Sequence, residues 1–479
     1  MKTNSLDFDA QALREKILDL AMRGKLIKQD PNDESASVLL EKIKAEKAKL
    51  VKEGKIKKNK PLPEITDDEK PFDIPDSWEW VHVKDVTTIG NFHSVSPQNI
   101  NQGENLIELA DIESNTGRLL NFEKVTSEVG SNKYQYNQGD VLFAKLRPYL
   151  RKVLIAPNDG ICTTELLPIN GIQTSNIYIY YTFLSSLIFE QIRQEMHGVN
   201  LPRISPKKLA ELIIPLPPLS EQSRIAAKIA QLFALLRKVE TSTQQYTKLQ
   251  TLLKSKVLDL AMRGKLVKQD PNDEPASVLL EKIKAEKEQL IKEKKMKKSK
   301  PLPPIADDEK PFEIPDSWEW VRLGEVNTYI GKNIHPEKTP EQLFELYSVP
   351  IYETNSPEIT SGKEIKSNKQ TVIPDDILLC KINPRINRVW RVGNYTNYKN
   401  IASTEWIVVR QSQLLPDYLR YVLMSPYFRK LLQSNVSGVG GSLTRAKPVL
   451  VKKYVIPIPP LSEQSRISLK IAHLFTLLK

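Results

Sequence analysis

Nearly identical blocks of sequence occur twice in this chain, and no other feature restricts its fold as much. The sequence DLAMRGKLIKQDPNDE at residues 19–34 returns as DLAMRGKLVKQDPNDE at residues 259–274, an offset of 240 residues. Two further blocks return: KPLPEITDDEKPFDIPDSWEW at 60–80 as KPLPPIADDEKPFEIPDSWEW at 300–320, again at an offset of 240, and IPLPPLSEQSR at 214–224 as IPIPPLSEQSR at 456–466, at an offset of 242. Self-similarity at one long period indicates a structural unit that is used more than once. The sequence therefore predicts a tandem repeat.

Between the repeated blocks, the two halves of the chain differ sharply. Residues 81–211 and 321–453 share only scattered landmarks. The landmarks are Lys-Leu-Arg-Pro at 145–148 opposite Lys-Ile-Asn-Pro at 381–384, and Thr-Thr-Glu at 163–165 opposite Ser-Thr-Glu at 403–405. Similar lengths and shared landmarks favour one fold with two different surfaces. A fixed frame that carries two variable domains is the simplest interpretation.

A long helix is predicted at residues 219–264, because residues 220–263 contain neither glycine nor proline. Ser220 is expected to cap its start, and Gly264 suits a left-handed position after its end. Apolar residues recur with a 3.5-residue period, which favours packing against another helix. The residues predicted to make that helix–helix contact are Ile225, Ile229, Leu232, Leu236, Val239, Leu253, Val257 and Leu260.

The second copy of this helix is divided between the two ends of the chain. Its first half starts at Leu461 and ends with the sequence at Lys479, whereas its second half matches the N-terminal residues from Leu6 onward. We expect the two pieces to act as one helix, packed antiparallel against the intact one. Their predicted packing residues are Ile467, Ile471, Leu474 and Leu478 in the first piece, and Leu13, Ile17 and Leu20 in the second.

The predicted fold class is α+β, with two mixed α/β domains joined by long antiparallel coiled-coil helices in a pseudo-twofold tandem repeat. Strands are predicted at residues 140–146, 177–183, 376–382 and 407–410, and helices near 182–196 and 415–433. The predicted boundaries are residues 1–70 (half-helix and lysine-rich arm), 71–217 (first variable domain), 218–265 (long helix), 266–310 (second arm), 311–459 (second variable domain) and 460–479 (C-terminal half-helix).

The composition suits a polyanionic partner in a reducing compartment. The chain has 70 basic and 58 acidic residues, a net charge of +12, and a pI near 9.2. Its two cysteines, Cys162 and Cys380, form no disulfide framework or zinc motif. No export signal or membrane-length apolar stretch is apparent, so a cytoplasmic location is expected.

No catalytic, cofactor-binding or metal-binding site is predicted. Gly331-Lys332 has no upstream glycine and is followed by Asn333, so it is not a phosphate-binding loop. The five histidines are scattered without any metal-ligand spacing. The absence of motifs does not by itself exclude catalysis.

Basic residues cluster at equivalent places in the two variable domains. Arginine can bind guanine through two hydrogen bonds, and arginine or lysine can neutralise phosphate. A solvated strand end is the alternative for any one of them, and a structural hydrogen bond is an alternative for Arg203 and Arg445. The predicted DNA-binding residues are Lys145, Arg147, Arg151, Lys152 and Arg203 in the first domain, and Lys381, Arg385, Arg388, Arg391 and Arg445 in the second.

Over essentially its full length, the chain resembles the specificity subunit of a Type I restriction–modification enzyme. The resemblance lies in LREKILDLAMRGKL at residues 13–26, in the two IPDSWEW blocks, and in IPLPPLSEQSRIAAKI and IPIPPLSEQSRISLKI after the variable domains. It implies two target-recognition domains, each reading one half of a bipartite double-stranded DNA site. It also implies that the helices set the spacing and dock two modification (methyltransferase) subunits, which restriction (translocase/nuclease) subunits join.

The same resemblance implies a non-catalytic chain. S-adenosylmethionine, ATP and Mg²⁺ would then be bound by the partner subunits. Two alternatives remain open from the residues: an enzyme in which restriction or methyltransferase activity is fused to recognition, and a coiled-coil scaffold that binds no DNA.

Overall fold

The computed structural model describes residues 9–58, 60–195, 202–434, 436–437 and 444–478. Leu6 of the expected N-terminal half-helix lies outside these residues. The chain forms two compact units, Met1–Thr243 and Gln244–Lys479, and each is described by itself. The predicted boundaries at the variable domains stay predictions.

Unit 1 is built around mixed β-structure flanked by helices. β2, β5, β8, β3 and β4 form a five-stranded sheet in that order, in which β3 and β8 run parallel. β7, β6 and β9 form a second sheet, and β1 pairs with β10. The helices are α1 (Ala10–Met22), α2 (Ala36–Lys52), α3 (Val83–Val86), α4 (Asn176–Leu184), α5 (Ser186–Glu195) and α6 (Pro206–Glu211), followed by α7 (Leu219–Met262), which continues into unit 2. The strands are β1 (Glu79–His82), β2 (Ser94–Val95), β3 (Asn105–Ile107), β4 (Glu123–Lys124), β5 (Lys133–Tyr136), β6 (Val141–Ala144), β7 (Val153–Ile155), β8 (Gly160–Thr163), β9 (Leu166–Ile169) and β10 (Ile213–Leu216).

Unit 2 repeats this topology with a different sequence. Its sheets have the orders β12-β15-β18-β13-β14, β17-β16-β19 and β11-β22, and a short extra pair joins β20 to β21. The helices are α8 (Ala276–Lys292), α9 (Leu323–Val326), α10 (Pro416–Met424), α11 (Pro426–Ser434), α12 (Pro448–Val451) and α13 (Leu461–Leu477). The strands are β11 (Glu319–Arg322), β12 (Asn333–Ile334), β13 (Leu343–Tyr347), β14 (Glu358–Ser361), β15 (Lys369–Thr371), β16 (Ile377–Cys380), β17 (Val389–Arg391), β18 (Lys399–Ser403), β19 (Trp406–Val409), β20 (Val436–Ser437), β21 (Arg445–Ala446) and β22 (Val455–Ile458). The predicted α+β class with a tandem repeat is confirmed.

The long helix is confirmed as α7, a continuous helix of 44 residues. Gly264 follows its end with φ +66°, and Gly24 has φ +68° after α1, a conformation that glycine adopts without strain. A Cβ on either glycine would also lie 2.4 Å from a proline, Pro75 or Pro315. Ser220 does not cap α7, because the helix begins one residue earlier and the Ser220 hydroxyl donates to Asp33 instead.

One predicted strand, residues 177–183, is wrong. The run NIYIYYTFL forms α4, whose first turn is capped by the Ser175 hydroxyl accepting from the Tyr178 backbone N–H. Its aromatic and β-branched residues have high strand propensity, but most of them are buried on the helix and belong to the core. Burial in tertiary structure therefore overrides local propensity here.

The repeated SEQ-x-R block ties the start of α7 to the rest of unit 1. Arg224 and Ser220 both bind the carboxylate of Asp33, with the guanidinium Nη1 3.1 Å and the hydroxyl 2.6 Å from Oδ1. The Trp78 indole N–H donates to buried Glu221 at 2.9 Å. Gln222 accepts from the backbone N–H of Ser175 at 2.9 Å. We call these residues the frame latch.

Unit 2 contains the same frame latch. Arg466 and Ser462 bind Asp273, the Trp318 indole donates to Glu463 at 2.9 Å, and Gln464 accepts from Leu415. Arginine holds the pKa of Asp33 and of Asp273 below its ordinary value, whereas burial raises the pKa of Glu221 and of Glu463. The near-identical blocks thus maintain one set of contacts in both units.

Within each unit, a half-helix runs antiparallel to the adjacent part of α7. In unit 1, Arg14 of α1 pairs with Glu240 at 2.9 Å, while Asp33, later in the chain, meets the earlier Arg224. In unit 2, Gln250 donates to the carbonyl of Leu478 at the end of α13, while Gln269, later in the chain, donates to Glu463 near the start of α13 at 2.6 Å. The described residues contain no helix that is long and apolar enough to cross a membrane.

The predicted helix-packing residues differ in how far their side chains are exposed. Those nearest the variable domains, Ile225, Ile229, Ile467 and Ile471, are fully buried. Leu13, Val239 and Leu253 are about 40% exposed. The half-buried ones are Leu232, Leu236, Val257, Leu260, Leu474, Leu478, Ile17 and Leu20. A neighbouring face that the heptad pattern missed enters the cores instead, through Leu18, Ala21 and Met22 in unit 1 and Leu258, Ala261 and Met262 in unit 2.

Each lysine-rich helix is followed by a proline-rich segment, residues 61–76 or 301–316, that we call the strap. In unit 2, fully buried Arg322 donates to the carbonyls of Pro303 (2.7 Å), Pro304 (2.9 Å) and Lys453 (2.6 Å) and pairs with Glu309. In unit 1, His82 occupies the same position. Its ring nitrogens lie 2.8 Å from the carbonyl of Glu211 and 3.2 Å from that of Pro63. Arg322 therefore binds three residues of its strap, whereas His82 binds one residue of its own.

Candidate nucleic-acid interface

Two of the predicted DNA-binding residues of unit 1, exposed Arg147 and largely buried Arg151, lie on a tight turn after β6. Arg147 and Arg151 both have left-handed backbones, with φ +49° and +46°, and enclose a short turn that starts at buried Pro148. The Arg147 N–H donates to the Pro202 carbonyl at 2.9 Å, and the Ile204 N–H donates to Lys145 at 3.0 Å. These bonds fix the turn against the chain segment that carries Arg203.

Unit 2 builds the same turn after β16 from different residues. Asn383 and Asn387 have φ +47° and +54°. The Asn383 N–H donates to Thr444 at 2.9 Å, and the Ala446 N–H donates to Lys381 at 2.8 Å. Left-handed backbones in non-glycine residues are strained and cluster at functional sites. The turn backbone is thus common to both units, while its side chains differ.

A carboxylate lies beside each turn and holds an exposed arginine. Arg203, whose side chain is 54% exposed, lies 3.4 Å from Glu165, and Arg445, at 57%, lies 3.3 Å from Glu405. Both glutamates are the last residue of the Thr-Glu landmark at 163–165 and 403–405, so the repetition of that landmark was a sequence signal for this pairing. Exposed ion pairs of this kind contribute about 0–1 kcal/mol. The arginines can therefore exchange the carboxylate for a phosphate at little cost.

The turns present their side chains to solvent. Arg147 and Tyr149 are exposed in unit 1, and Arg385 and Ile386 are exposed in unit 2. The sequence prediction omitted Tyr149 and Ile386, because it was based on charge alone. Tyr149, 42% exposed, offers an aromatic face as well as a hydroxyl.

The other predicted DNA-binding residues are engaged within the fold or less exposed. Arg151 pairs with Glu15 at 3.1 Å and its guanidinium lies 4.8 Å from the centre of the Phe189 ring. Lys152 donates to the Leu109 carbonyl at 2.6 Å. Lys145 is half-buried, Lys381 donates to Thr404, Arg388 lies 3.7 Å from Glu353, and Arg391 pairs with Asp375 and Asp417.

Nothing in the described part of the chain resembles a metal site. No group of three or more histidine, cysteine or acidic residues there is placed to hold an ion. Cys162 and Cys380 are free and buried, and burial raises the pKa of both thiols. A buried thiol of raised pKa is a poor nucleophile.

Comparison with known proteins places this duplicated fold in the class of Type I DNA specificity proteins. The chain belongs to the family described as the Type I restriction modification DNA specificity domain, which matches residues 75–249 and 315–477. It is 39% identical over 376 residues to the EcoAI specificity subunit of Escherichia coli, a match that covers 68% of this chain and 63% of that protein. It is 37% identical over 385 residues to the EcoEI specificity subunit of Escherichia coli, covering 70% and 64%.

The chain thus spans a little under two thirds of the length of these relatives. A solved structure agrees on the fold. A chain from the work described as "Structural basis underlying complex assembly and conformational transition of the type I R-M system" matches with a TM-score of 0.57 at 20% identity, covering 85% of this chain and 92% of that one. The resemblance inferred from the sequence is confirmed at the level of the family.

Proposed function

We propose that this chain is the DNA-recognition subunit of a Type I restriction–modification complex, in which each unit reads one half of a bipartite double-stranded site. One observation carries the proposal: two units of one family fold contain the same left-handed turn with different side chains. Exposed Arg147 and Tyr149 in one unit correspond to half-buried Asn383 and exposed Arg385 in the other. A shared scaffold with different tips is what two readers of different half-sites require.

The chemistry of the turns suits both parts of DNA recognition. Phosphate contacts position a protein on the duplex, and contacts to base edges supply the sequence preference. Arg203 and Arg445 recur at one place in both units, which fits a shared phosphate contact. Arg147 and Arg385 lie at different positions of the turn, and neither has an arginine at the equivalent position of the other unit. This difference fits base reading, since arginine binds guanine O6 and N7 together.

We infer further that the helices dock two modification subunits and that restriction subunits join this assembly in the cytoplasm. Large apolar side chains remain exposed along α7, including Leu235 (51%), Leu249 (52%) and Leu252 (65%). Exposed apolar stripes of this kind favour association with further helices. The chain itself is proposed to be non-catalytic. S-adenosylmethionine, ATP and Mg²⁺ are then bound by the partners, where adenine methylation and translocation take place.

Domain replacement tests the proposal. Residues 81–211 are exchanged for the variable domain of another family member, and the methylated sites of the host genome are read by single-molecule sequencing. We expect one half-site to change while the other half-site and the spacer stay the same. The reciprocal exchange of residues 321–453 serves as the matched control and is expected to change only the other half-site. A change in both half-sites after a single exchange contradicts the proposal. Unchanged methylation of the genome when the gene is deleted contradicts it as well.

A further inference from the structure

A lysine-lined cavity of about 480 Å³ lies at the C-terminal end of α2, outside the turns described above. Seven of its eleven lining residues are lysines, and Asp85 is the one carboxylate among them. The cavity lies between α2, the residues that follow it, and α3. We call it the lysine pocket. Seven ammonium groups around one concave surface repel one another unless an anion is present.

Two lysines form the inner wall of the lysine pocket. Lys84 is only 8% exposed and donates to the carbonyl of Lys60 at 2.8 Å. Lys47 donates to the backbone carbonyl of Lys84, and burial lowers the pKa of its ammonium group. Each ammonium has three N–H groups, and each of these bonds uses one. A bound anion would compensate the desolvation of these buried charges.

Four exposed lysines form the rim: Lys52, Lys57, Lys58 and Lys60. Their side chains form no ion pair within the part of the chain that the structure describes. Other lysines of the same arm do form ion pairs, since Lys42 lies 2.6 Å from Glu34, Lys49 3.9 Å from Glu46, and Lys55 2.8 Å from Glu53. Lys44 also lines the pocket and lies 2.8 Å from Glu41. Within the described residues, the rim lysines, but not the whole lining, therefore lack an ion pair.

The repeat retains the pocket lysines of the arm. All six have a lysine at the equivalent position in unit 2, as do Lys42 and Lys55 outside the pocket, whereas Lys49 becomes Gln289. Gly324 replaces Lys84, and Lys287 donates to the carbonyl of Gly324 at 2.7 Å. The equivalent arm lysines are Lys284, Lys287, Lys292, Lys297, Lys298 and Lys300.

We propose that the lysine pocket binds the phosphate backbone of duplex DNA, independently of base sequence, as a contact separate from the recognition turns. Lysine is depleted in protein–protein interfaces, which disfavours an acidic protein surface as the occupant. It binds phosphate as a flexible point charge, so it suits a contact that must tolerate any sequence. The inference rests on the proposed function, because it takes DNA as the ligand.

The test measures how DNA affinity depends on salt. The triple variant K52Q/K57Q/K58Q is compared with the matched control K42Q/K49Q/K55Q, which removes the same number of positive charges from other positions on the same arm. The full chain is purified with the subunits that assemble on it, and binding to random duplex DNA is measured between about 50 and 200 mM salt. The slope of log K against log salt is negative, and each lost phosphate contact reduces its magnitude by about 0.9. We expect the pocket variant to reduce the magnitude by about 2–3 and the control by less than about 1.

The outcomes separate this inference from the proposed function. Methylation at the same bipartite site by both variants is expected, because the pocket reads no bases. Equal slopes for the pocket variant and the control overturn the inference, even if sequence-specific recognition is intact. Loss of subunit assembly in the pocket variant, with the slope unchanged, identifies a protein partner and also overturns it. Failure to find any specific site in the unmodified complex removes the proposed function, but it leaves the comparison of slopes valid.

Discussion

At the scale of single residues, the frame latch explains why the SEQ-x-R block occurs twice almost unchanged. Its polar side chains bind three different parts of the unit: Ser220 and Arg224 bind Asp33 after α1, Glu221 binds Trp78 before β1, and Gln222 binds Ser175 at the start of α4. A change at one latch residue leaves a partner on another element without its hydrogen bond. The block is thus constrained by folding, although the sequence alone indicated only that it was repeated.

Replacing Arg224 by alanine tests the latch. Its guanidinium is 38% exposed and Asp33 is 9% exposed, so the loss of their paired hydrogen bonds is screened only in part. We expect unit 1 to lose about 1–2 kcal/mol of unfolding free energy at pH 7, with the same effect on unit 2 from R466A. Urea denaturation followed by tryptophan fluorescence measures it. K238A, an exposed cation on the same helix, is the control and is expected to change little.

The pH dependence of this loss follows from the lowered pKa of Asp33. A carboxyl whose folded-state pKa is lowered stabilises the fold above its unfolded pKa of about 4. That contribution disappears as the pH falls through the folded value. The gap between wild type and R224A should therefore close below about pH 4. Glu221, whose pKa is raised by burial, acts in the opposite direction in both proteins. An undiminished gap in acid would contradict the latch.

Among the candidate contact residues, whose role in DNA binding stays a prediction, charge did not indicate which side chains are exposed. Lys-Leu-Arg-Pro marked the turn, and Arg147 is exposed there. Arg151, three residues after Pro148, instead contacts Glu15 on α1. Which cation faces solvent depends on the left-handed backbone at residues 147 and 151. Such a conformation is uncommon for residues other than glycine, so it could not be predicted from these arginines. Contacts distant in sequence decided the rest.

At the scale of elements, the sequence predicted whatever a local pattern determines. The glycine- and proline-free stretch became α7, and residues 140–146 contain β6. The α4 segment was mistaken for a strand, because a helix buried on most sides has no polar face to show a 3.6-residue period. The apolar stripe of α7 was found, but the second face used by Leu258, Ala261 and Met262 was not. That face is defined by the domain packed against it.

The two straps provide a prediction at this scale. Arg322 has five N–H donors for its carbonyl and carboxylate partners, whereas a neutral imidazole at His82 has only one for two carbonyls. We expect backbone amides of residues 61–76 to exchange with solvent roughly tenfold faster than those of residues 301–316, a difference of about 1.4 kcal/mol. Hydrogen exchange with mass spectrometry measures both straps in one sample.

Reciprocal substitutions provide the controls for the strap prediction. H82R should slow exchange in residues 61–76 without affecting residues 301–316. R322H should speed exchange in residues 301–316 alone, since it removes the ion pair with Glu309. Equal protection of the two straps in the unmodified protein would show that the residue at this position does not control them.

At the scale of the whole molecule, the repeat separates what must stay constant from what is free to vary. The constant blocks form the latch, the strap and the lysine-rich arm in both units, and the variable domains keep one topology with different surfaces. Under the proposed function, such a division would let one half-site change without refolding the frame. The sequence alone showed this division, because a duplicated chain contains two related sequences that can be compared with each other.

The continuity of α7 leads to the last prediction. The two units meet within this helix, at Thr243 and Gln244, so its length is shared between them. A second copy of residues 241–244 inserted there adds about one helical turn, or about 6 Å. Under the proposed function, the spacer between half-sites should lengthen by about two base pairs at 3.4 Å each, while both half-sites stay the same. A chain with residues 241–244 scrambled but not lengthened is the control. Sequencing of methylated sites decides between them: an active insertion variant with an unchanged spacer would mean that α7 does not set the distance.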